Sequence, residues 1–185
     1  MSATRPTRLV AAFLVLGIIL RLVGLGIHSL WIDEAATLYI AHSDNIVTAL
    51  RGDRHPPLSY LLFRGWIALF GEDDALLRVP SALASIASLL LLARLARAWL
   101  VEHAVWIAVA ITAVSPLELW IAREVRMYAF VECAALIAIV ASFEYLQRPR
   151  RWLLPLIFCA SAAATGLHYF GAFVGPTITL LAFTQ

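Results

Sequence analysis

The sequence has few charged residues, no lysine and only two cysteines. Charged residues make up 14% of the 185 residues, and hydrophobic residues make up 62%. A soluble domain has roughly 25% charged and about 45–50% apolar residues, so the composition indicates an integral membrane protein. The formal net charge of +2 is too small to indicate a nucleic-acid partner. Cys133 and Cys159 lie in apolar segments, and their spacing suggests neither a disulfide framework nor a metal site.

Apolar runs of membrane-spanning length recur along the chain. The first, Leu9–Ile27, has 19 residues and would reach about 28 Å as a helix, enough to cross a bilayer. It is too long for the apolar core of a secretory signal and precedes no clear cleavage site, so we interpret it as a retained anchor. Arg21 interrupts it and is expected to reach the interface or to face a polar cavity. Four further spans are predicted: Leu76–Ala93, Ala104–Ile121, Met127–Leu146 and Trp152–Leu167. A sixth, incomplete span begins near Phe170.

A long polar interval, about residues 28–75, separates the first two spans. Asp33–Leu50 has the pattern of an amphipathic helix. Pro56 forces His55 out of the helical region, and Pro57 can occupy the first turn of a new helix. That helix, Pro57–Phe70, would reach only about 21 Å, which favours an interfacial or re-entrant element over a span.

The arginines predict the orientation if the helix after Pro57 does not cross the membrane. The loops on one side then contain seven arginines: Arg5, Arg8, Arg94, Arg97, Arg148, Arg150 and Arg151. Short arginine-rich loops are cytoplasmic by the positive-inside rule. The N-terminus is therefore expected in the cytoplasm and the 28–75 loop outside. The second, fourth and sixth spans begin outside, and their N-termini favour anions such as phosphate.

Several groups that can carry chemistry are predicted to meet at the outer face. They are Asp33, Glu34, His55, Arg78, Arg123, Glu124, Arg126, Tyr128, His168 and Tyr169. Carboxylates can take protons or hold a metal, and arginines can bind phosphate as a fork. Acids, arginines and histidines beside a bilayer suit a reaction on a charged lipid headgroup.

Each motif also has a purely structural explanation. The Asp33-Glu34 pair could be a solvated loop feature, and residues 55–57 could simply start a helix. Residues 123–128 could form an interfacial belt of arginines with an anchoring tyrosine, and His168-Tyr169 could be a similar anchor. A transporter or lipid-binding membrane subunit is the alternative function. A transport pathway, however, should place ionisable groups near the bilayer midplane, whereas these gather at one edge.

Taken in order, the motifs resemble the N-terminal half of GT-C-type glycosyltransferases. The closest groups are the glycosyltransferase family 39 protein mannosyltransferases and the bacterial transferases that add aminoarabinose to lipid A. Order and spacing agree over roughly residues 9–170. The matching segments are Trp31–Ala35, Asp53–Tyr60, Phe70–Glu72, Leu77–Leu83, Ser115-Pro116 and Arg123–Ala129.

The resemblance implies an all-α, polytopic membrane bundle of about six spans, with interfacial helices in the first outer loop. Residues 1–185 would be the N-terminal transmembrane module, with the remainder of the enzyme missing. Whether this module is active alone stays open, and an inactive truncated module is one alternative. The implied location is a bacterial inner (plasma) membrane, with the active site on the outer side.

The implied reaction is inverting transfer of a sugar from a polyprenyl-phosphate donor to a lipid, glycan or protein acceptor. Asp33 would be the general base, while Glu34 would support it or a metal. Donor phosphate would bind Arg126, with Arg78, Arg123 and Tyr128 as further candidates. His55, His168 and Tyr169 are other expected site residues. Use of a divalent metal ion stays open, with Glu34 and His55 as candidate ligands.

Overall fold

The fold is that of a helical bundle, here in a computed structural model that describes residues 4–53 and 55–183. Across these ranges the chain forms ten α-helices, two short 3-10 turns and no strand, which confirms the all-α prediction. Arg54, in the matching segment Asp53–Tyr60, lies outside the described residues. The helices are α1 (Thr4–Leu22), α2 (Ile32–His42), α3 (Ile46–Ala49), α4 (Leu58–Phe70), α5 (Asp74–Trp99), α6 (Glu102–Val114), α7 (Pro116–Ile121), α8 (Tyr128–Gln147), α9 (Leu153–Leu167) and α10 (Val174–Phe183).

Two of the described helices, α5 and α8, are long and apolar enough to cross a membrane. Helices α4, α6 and α9 are apolar but shorter. The predicted span 104–121 is broken between α6 and α7 because Pro116 starts a new helix. The Ser115 side chain accepts the backbone N–H of Glu118 and caps that helix. The number of spans therefore stays a prediction.

The long helices run up and down, so their ends gather at two poles. At one pole, Arg21 near the end of α1 donates to the carbonyls of Thr112 and Ala113 at the end of α6. At the other, Arg94 near the end of α5 pairs with Glu144 on α8 at 2.5 Å. We call the first pole the α2 end; α1, α6 and α9 finish there, and α5 and α8 start there.

Small residues allow α1, α5 and α6 to pack closely. A Cβ atom on Gly17 of α1 would lie 2.7 Å from Leu89 Cδ2 and 3.0 Å from the Ala113 Cβ. Leu89, Ala113 and Val109 are fully buried in this core. The close approach lets backbone carbonyls of α1 and α6 reach Arg21, which is completely buried.

Arg21 is held inside the bundle. Its Nε atom donates to the Ser85 hydroxyl at 2.8 Å, and its Nη1 atom donates to the Gly17 carbonyl at 3.1 Å. The first expectation, that Arg21 reaches the interface, is thus replaced by polar contacts in the interior. Helix α1 also ends at Leu22, five residues before the apolar run does, because Gly24 adopts a positive φ of 81°.

The loop that precedes α4 is more broken than its pattern predicts. Helix α2 ends at His42, and the Asn45 side chain then accepts the Thr48 N–H and caps the four-residue helix α3. Such a side chain competes for backbone N–H groups and interrupts a helix. Of the apolar residues in the predicted amphipathic segment, Ile40 is buried and Val47 is exposed.

Helix α4 lies across the α2 end with both of its ends at that pole. At its start, Leu58 packs against Gly166 in the last turn of α9. Near its finish, the Trp66 indole donates to the Leu76 carbonyl in the first turn of α5 at 2.9 Å. A helix that begins and ends at one pole is the arrangement that the orientation argument requires.

Candidate active site

A buried ion pair joins α2 to α5 at the α2 end. The Glu34 carboxylate, 1% exposed, receives a two-pronged contact from Arg78: Nε to Oε1 at 3.2 Å and Nη2 to Oε2 at 2.9 Å. Glu34 also accepts the backbone N–H of Trp31 at 3.2 Å, which caps α2. The other Arg78 donors reach three carbonyls of the preceding turn: Leu25, His28 and Ser29. All of the hydrogen-bonding capacity of Arg78 is therefore used within the protein.

The same carboxylate fixes the turn between α7 and α8. The peptide group between Glu124 and Val125 is held on both sides: its N–H donates to Glu34 at 2.9 Å, and its carbonyl accepts the Ser81 hydroxyl at 2.5 Å. Ser81 lies one turn after Arg78 on α5. Helices α2 and α5 thus position the residue that follows this peptide, Arg126.

Arg126 connects this turn to the first turn of α2. Its Nη1 atom donates to the Asp33 carbonyl at 3.3 Å and to the Thr37 hydroxyl at 3.1 Å. The guanidinium lies 5.9 Å from the centre of the Tyr128 ring, within cation–π range. Its Nε atom is buried and has no partner among the described residues. Arg126 therefore keeps donor capacity that Arg78 lacks.

Asp33 presents a carboxylate that the surrounding protein does not bind. The residue is half-buried, its backbone carbonyl accepts from Thr37 and Arg126, and its side chain makes no hydrogen bond to the described residues. The neighbouring Glu34 is fully engaged. The two adjacent carboxylates thus have different environments, one structural and one available.

Rings extend the cluster from Tyr128 towards the start of α4. The Tyr128 ring lies 6.3 Å from the His168 ring, which lies 5.5 Å from the His55 ring. His55 Nδ1 is 2.9 Å from an Asp53 carboxylate oxygen, and the Tyr60 hydroxyl donates to the other oxygen. Burial, reinforced by His55 and Arg126, lowers the pKa of His168. His168 is therefore neutral at pH 7, and its Nδ1 atom accepts the Phe170 N–H.

Two predicted site residues are not part of this network of hydrogen bonds and ring contacts. Arg123 donates from Nη2 to the Leu20 carbonyl at 2.6 Å and so caps the end of α1. Tyr169 is 62% exposed and makes none of the ring contacts found among the described residues. The remaining residues predicted to meet at this face are brought together at the α2 end: Asp33, Glu34, His55, Arg78, Glu124, Arg126, Tyr128 and His168.

Three contributors were missed by the sequence reasoning. Thr37 binds Arg126 and lies one helical turn after Asp33, so the i, i+4 rule could have indicated it. Ser81, three residues after Arg78, could have been found in the same way. The pairing of Asp53 with Tyr60 leaves no such signal, because it depends on how the chain turns at Pro56.

The donor set does not fit a metal site at Glu34. Both oxygens of this carboxylate already accept N–H groups, and an arginine in direct contact opposes a cation. His55 is directed to Asp53 instead. Among the described residues there is no group of three or more histidines, cysteines, aspartates or glutamates arranged to hold a metal ion.

Beside the buried pair lies a cavity of about 390 Å³ between the turn after α1 and helix α7. Glu34, Arg78, Arg123 and Glu124 contribute its polar wall. Burial raises the pKa of Glu124 to about 7; Glu34 adds to this shift, whereas Arg126 and the nearby Trp31 indole oppose it.

Comparison with known families gives an independent result. A model of the dolichyl-phosphate-mannose-protein mannosyltransferase family matches residues 54–185. The chain belongs to this family. It is thus a glycosyltransferase of the mannosyltransferase type, from a membrane-integral family whose members use a lipid-linked sugar donor and an acceptor. The two long apolar helices fit such a protein. No curated protein and no solved structure matches the chain.

The matched range contains Arg78, Arg126, Tyr128, His55 and His168 but begins after α2. Asp33 and Glu34 thus enter the site through their contacts rather than through the family match. Both are bonded to residues inside the matched range, Glu34 to Arg78 and the Asp33 carbonyl to Arg126.

Proposed function

We propose that the protein transfers a sugar from a polyprenyl-phosphate donor to an acceptor, by an inverting reaction with Asp33 as general base. The observation that supports this most is the contact of Arg126 with the first turn of α2. It places a partly unsatisfied guanidinium next to the residue that carries a free carboxylate. A base and a phosphate-binding group are the two parts that the reaction needs.

In the proposed reaction, the acceptor hydroxyl loses its proton to Asp33 and attacks the anomeric carbon of the donor sugar. The bond between that carbon and the phosphate oxygen breaks, and polyprenyl phosphate leaves. An anionic leaving group requires cationic stabilisation more than protonation. Arg126 supplies it, while Tyr128 and the neutral His168 offer hydrogen bonds beside it.

Glu34 and Arg78 act as positioning residues in this proposal. Because all donors of Arg78 are used within the protein, we withdraw it from the phosphate-binding set suggested by the sequence. Arg123 is likewise assigned to holding the end of α1. The buried pair keeps α2 and the turn before α8 in register, and so keeps Asp33 and Arg126 together.

The proposed topology places the α2 end on the outer side of the membrane, with about six spans and a cytoplasmic N-terminus. It is supported by the arginines of the opposite pole, Arg94, Arg97 and Arg148, and by α4, which does not run along the bundle. Single cysteines replacing exposed Ser29, Glu72 and Arg150 in a cysteine-free background test it with an impermeant maleimide on intact cells. We expect labelling at the first two positions and protection at the third; labelling of Ser29 together with Arg150, but not Glu72, would mean that α4 crosses.

The reaction is tested with membranes that contain the natural full-length chain and a panel of radiolabelled polyprenyl-phosphate sugars. Asp33→Asn should abolish transfer while donor binding and membrane insertion remain. Arg126→Ala should raise the donor KM because a phosphate contact is lost. Near-normal transfer by Asp33→Asn would remove this residue from its role, and an unchanged donor dependence would do so for Arg126.

A further inference from the structure

The cavity beside the buried pair contains groups that neither the proposed base nor the proposed phosphate site uses. Its volume of about 390 Å³ lies within the range of about 300–1,000 Å³ that is usual for small-molecule sites. The rings of Trp31 and Trp120 form two of its walls, with centroids 6.3 Å apart and planes tilted by 48°. Asp33 and Arg126 do not line it.

Two buried polar groups in its wall lack partners. Glu124 is 3% exposed, and neither of its carboxylate oxygens accepts a hydrogen bond of normal geometry from the described residues, although the Trp31 indole lies nearby. The Nε atom of Arg123 is also buried and has no partner there. Buried polar groups without hydrogen-bond partners are unfavourable. A ligand that formed hydrogen bonds with both groups would therefore gain binding free energy.

The kind of ligand follows from these groups. One wall position accepts a hydrogen bond and the other donates one, and a hydroxyl group can satisfy either. A free phosphate is disfavoured because two carboxylates, Glu34 and Glu124, line the cavity and Arg78 is already neutralised. Indole rings offer flat apolar surfaces to the C–H face of a saturated ring. A saturated ring that carries several hydroxyl groups is a sugar, so the cavity fits a sugar.

We propose that this cavity is a subsite for a glycosyl group, whose ring lies against Trp31 and Trp120 and whose hydroxyls bond to Glu124 and Arg123. The inference rests on the proposed glycosyl transfer and adds the place where a sugar is recognised. Trp120 also stacks on Tyr128, with centroids 6.4 Å apart and planes 25° apart. The subsite is therefore adjacent to the proposed phosphate site. The sugar belongs either to the donor or to a glycan acceptor.

The test uses the full-length protein in lipid nanodiscs and two variants of the cavity. Glu124→Gln removes the charge at constant size, and Leu119→Phe reduces the space without changing charge. Leu117→Phe is the matched control, since Leu117 lies on the same helix, is exposed and does not line the cavity. Thermal unfolding checks that each variant folds. If Glu124→Gln does not fold, Leu119→Phe alone provides the test. Binding is measured for polyprenyl-phosphate mannose and for the same polyprenyl phosphate without sugar.

A donor subsite predicts that both cavity variants weaken binding of the sugar-bearing lipid about tenfold and leave binding of the sugar-free lipid unchanged. An acceptor subsite predicts unchanged donor binding and about a tenfold rise in the KM for a glycan acceptor, with kcat nearly constant. Normal donor binding and normal acceptor KM in both variants would overturn the inference while leaving the proposed function intact. A wild-type protein that transfers no sugar from any polyprenyl phosphate would instead overturn the proposed function, and the subsite with it.

Discussion

Breaking the Glu34–Arg78 pair should be the most informative perturbation of the site. In Glu34→Gln, a neutral amide replaces a carboxylate that binds Arg78, Val125 N–H and Trp31 N–H. The amide oxygen can keep some of these donors, but the NH2 group then faces others. Removing one partner of a buried pair costs about 3–5 kcal/mol. Arg78 retains its three carbonyl acceptors, so we expect the lower end, about 3 kcal/mol.

The reverse change has a different penalty. Arg78→Met leaves Glu34 charged and buried, with only backbone N–H donors, and removes the donors from the carbonyls of Leu25, His28 and Ser29. We expect a loss of about 4 kcal/mol. The double variant contains no unpaired charge, so its loss should be smaller than the sum of the two single losses by about 2 kcal/mol.

The assay is reversible unfolding of the full-length protein in mixed micelles, followed by far-ultraviolet circular dichroism. The exposed His42–Glu72 pair, at 2.5 Å, is the matched control. The hydrogen bond between His42 and Glu72 raises the pKa of His42. A solvent-exposed pair nevertheless contributes less than about 1 kcal/mol, so His42→Gln should have little effect on the free energy of unfolding. Single-variant effects at Glu34 and Arg78 that add within about 0.5 kcal/mol would refute the idea that this pair acts as one unit.

Two further predictions concern packing and pH. Gly17→Val should destabilise the protein by about 1–3 kcal/mol, because the valine side chain would meet Leu89 and Ala113. Gly65→Ala is the control: this position has open space around it, so the change should be neutral or stabilising by about 0.5–1 kcal/mol. Equal effects of the two substitutions on the free energy of unfolding would contradict the packing argument. Folding raises the pKa of Glu124 from 4.5 to about 7, so the folded protein binds the Glu124 proton more tightly than the unfolded protein does. The free energy of unfolding of the wild type should therefore fall by up to about 3 kcal/mol as pH rises from about 4.5 to 7. Glu124→Gln should lack this part of the decrease, and parallel curves of unfolding free energy against pH for the two proteins would contradict the prediction.

Much of the fold could be predicted because it depends on local patterns. Apolar runs of helical length predicted α8 and α9 within one residue of their observed bounds, whereas α5 continues six residues beyond its predicted end. Pro56-Pro57 correctly indicated a new helix, α4. Helix ends were less predictable. Hydropathy continues through residues 23–27, but Gly24 turns the chain there, and the helical pattern of the 28–75 loop is divided between α2, which ends at His42, and α3, which Asn45 caps.

The gathering of the site was predictable, whereas the division of labour within it was not. Four arginines lie near the α2 end: Arg21, Arg78, Arg123 and Arg126. The sequence alone gives no reason to separate the roles of the last three, which were all candidates for binding phosphate. The separation depends on which backbone carbonyls face each guanidinium. Those carbonyls belong to the turn at 25–29 and to the ends of α6 (112–113) and α1 (Leu20), whose positions are set by the packing of distant helices.

This division has a consequence for how an anion would be bound. A buried arginine whose nitrogen atoms are already hydrogen-bonded within the protein cannot take up a phosphate without breaking those bonds, and so Arg21 and Arg78 hold the scaffold. Arg126 differs, since part of its guanidinium has no partner among the described residues and its position is fixed through the Glu124–Val125 peptide. Stabilisation of developing negative charge is most effective when the donors are already in place, because no reorganisation is then required during the reaction. In the proposed reaction, Glu34 thus contributes to phosphate binding although it is an acid, because it positions the turn that contains Arg126.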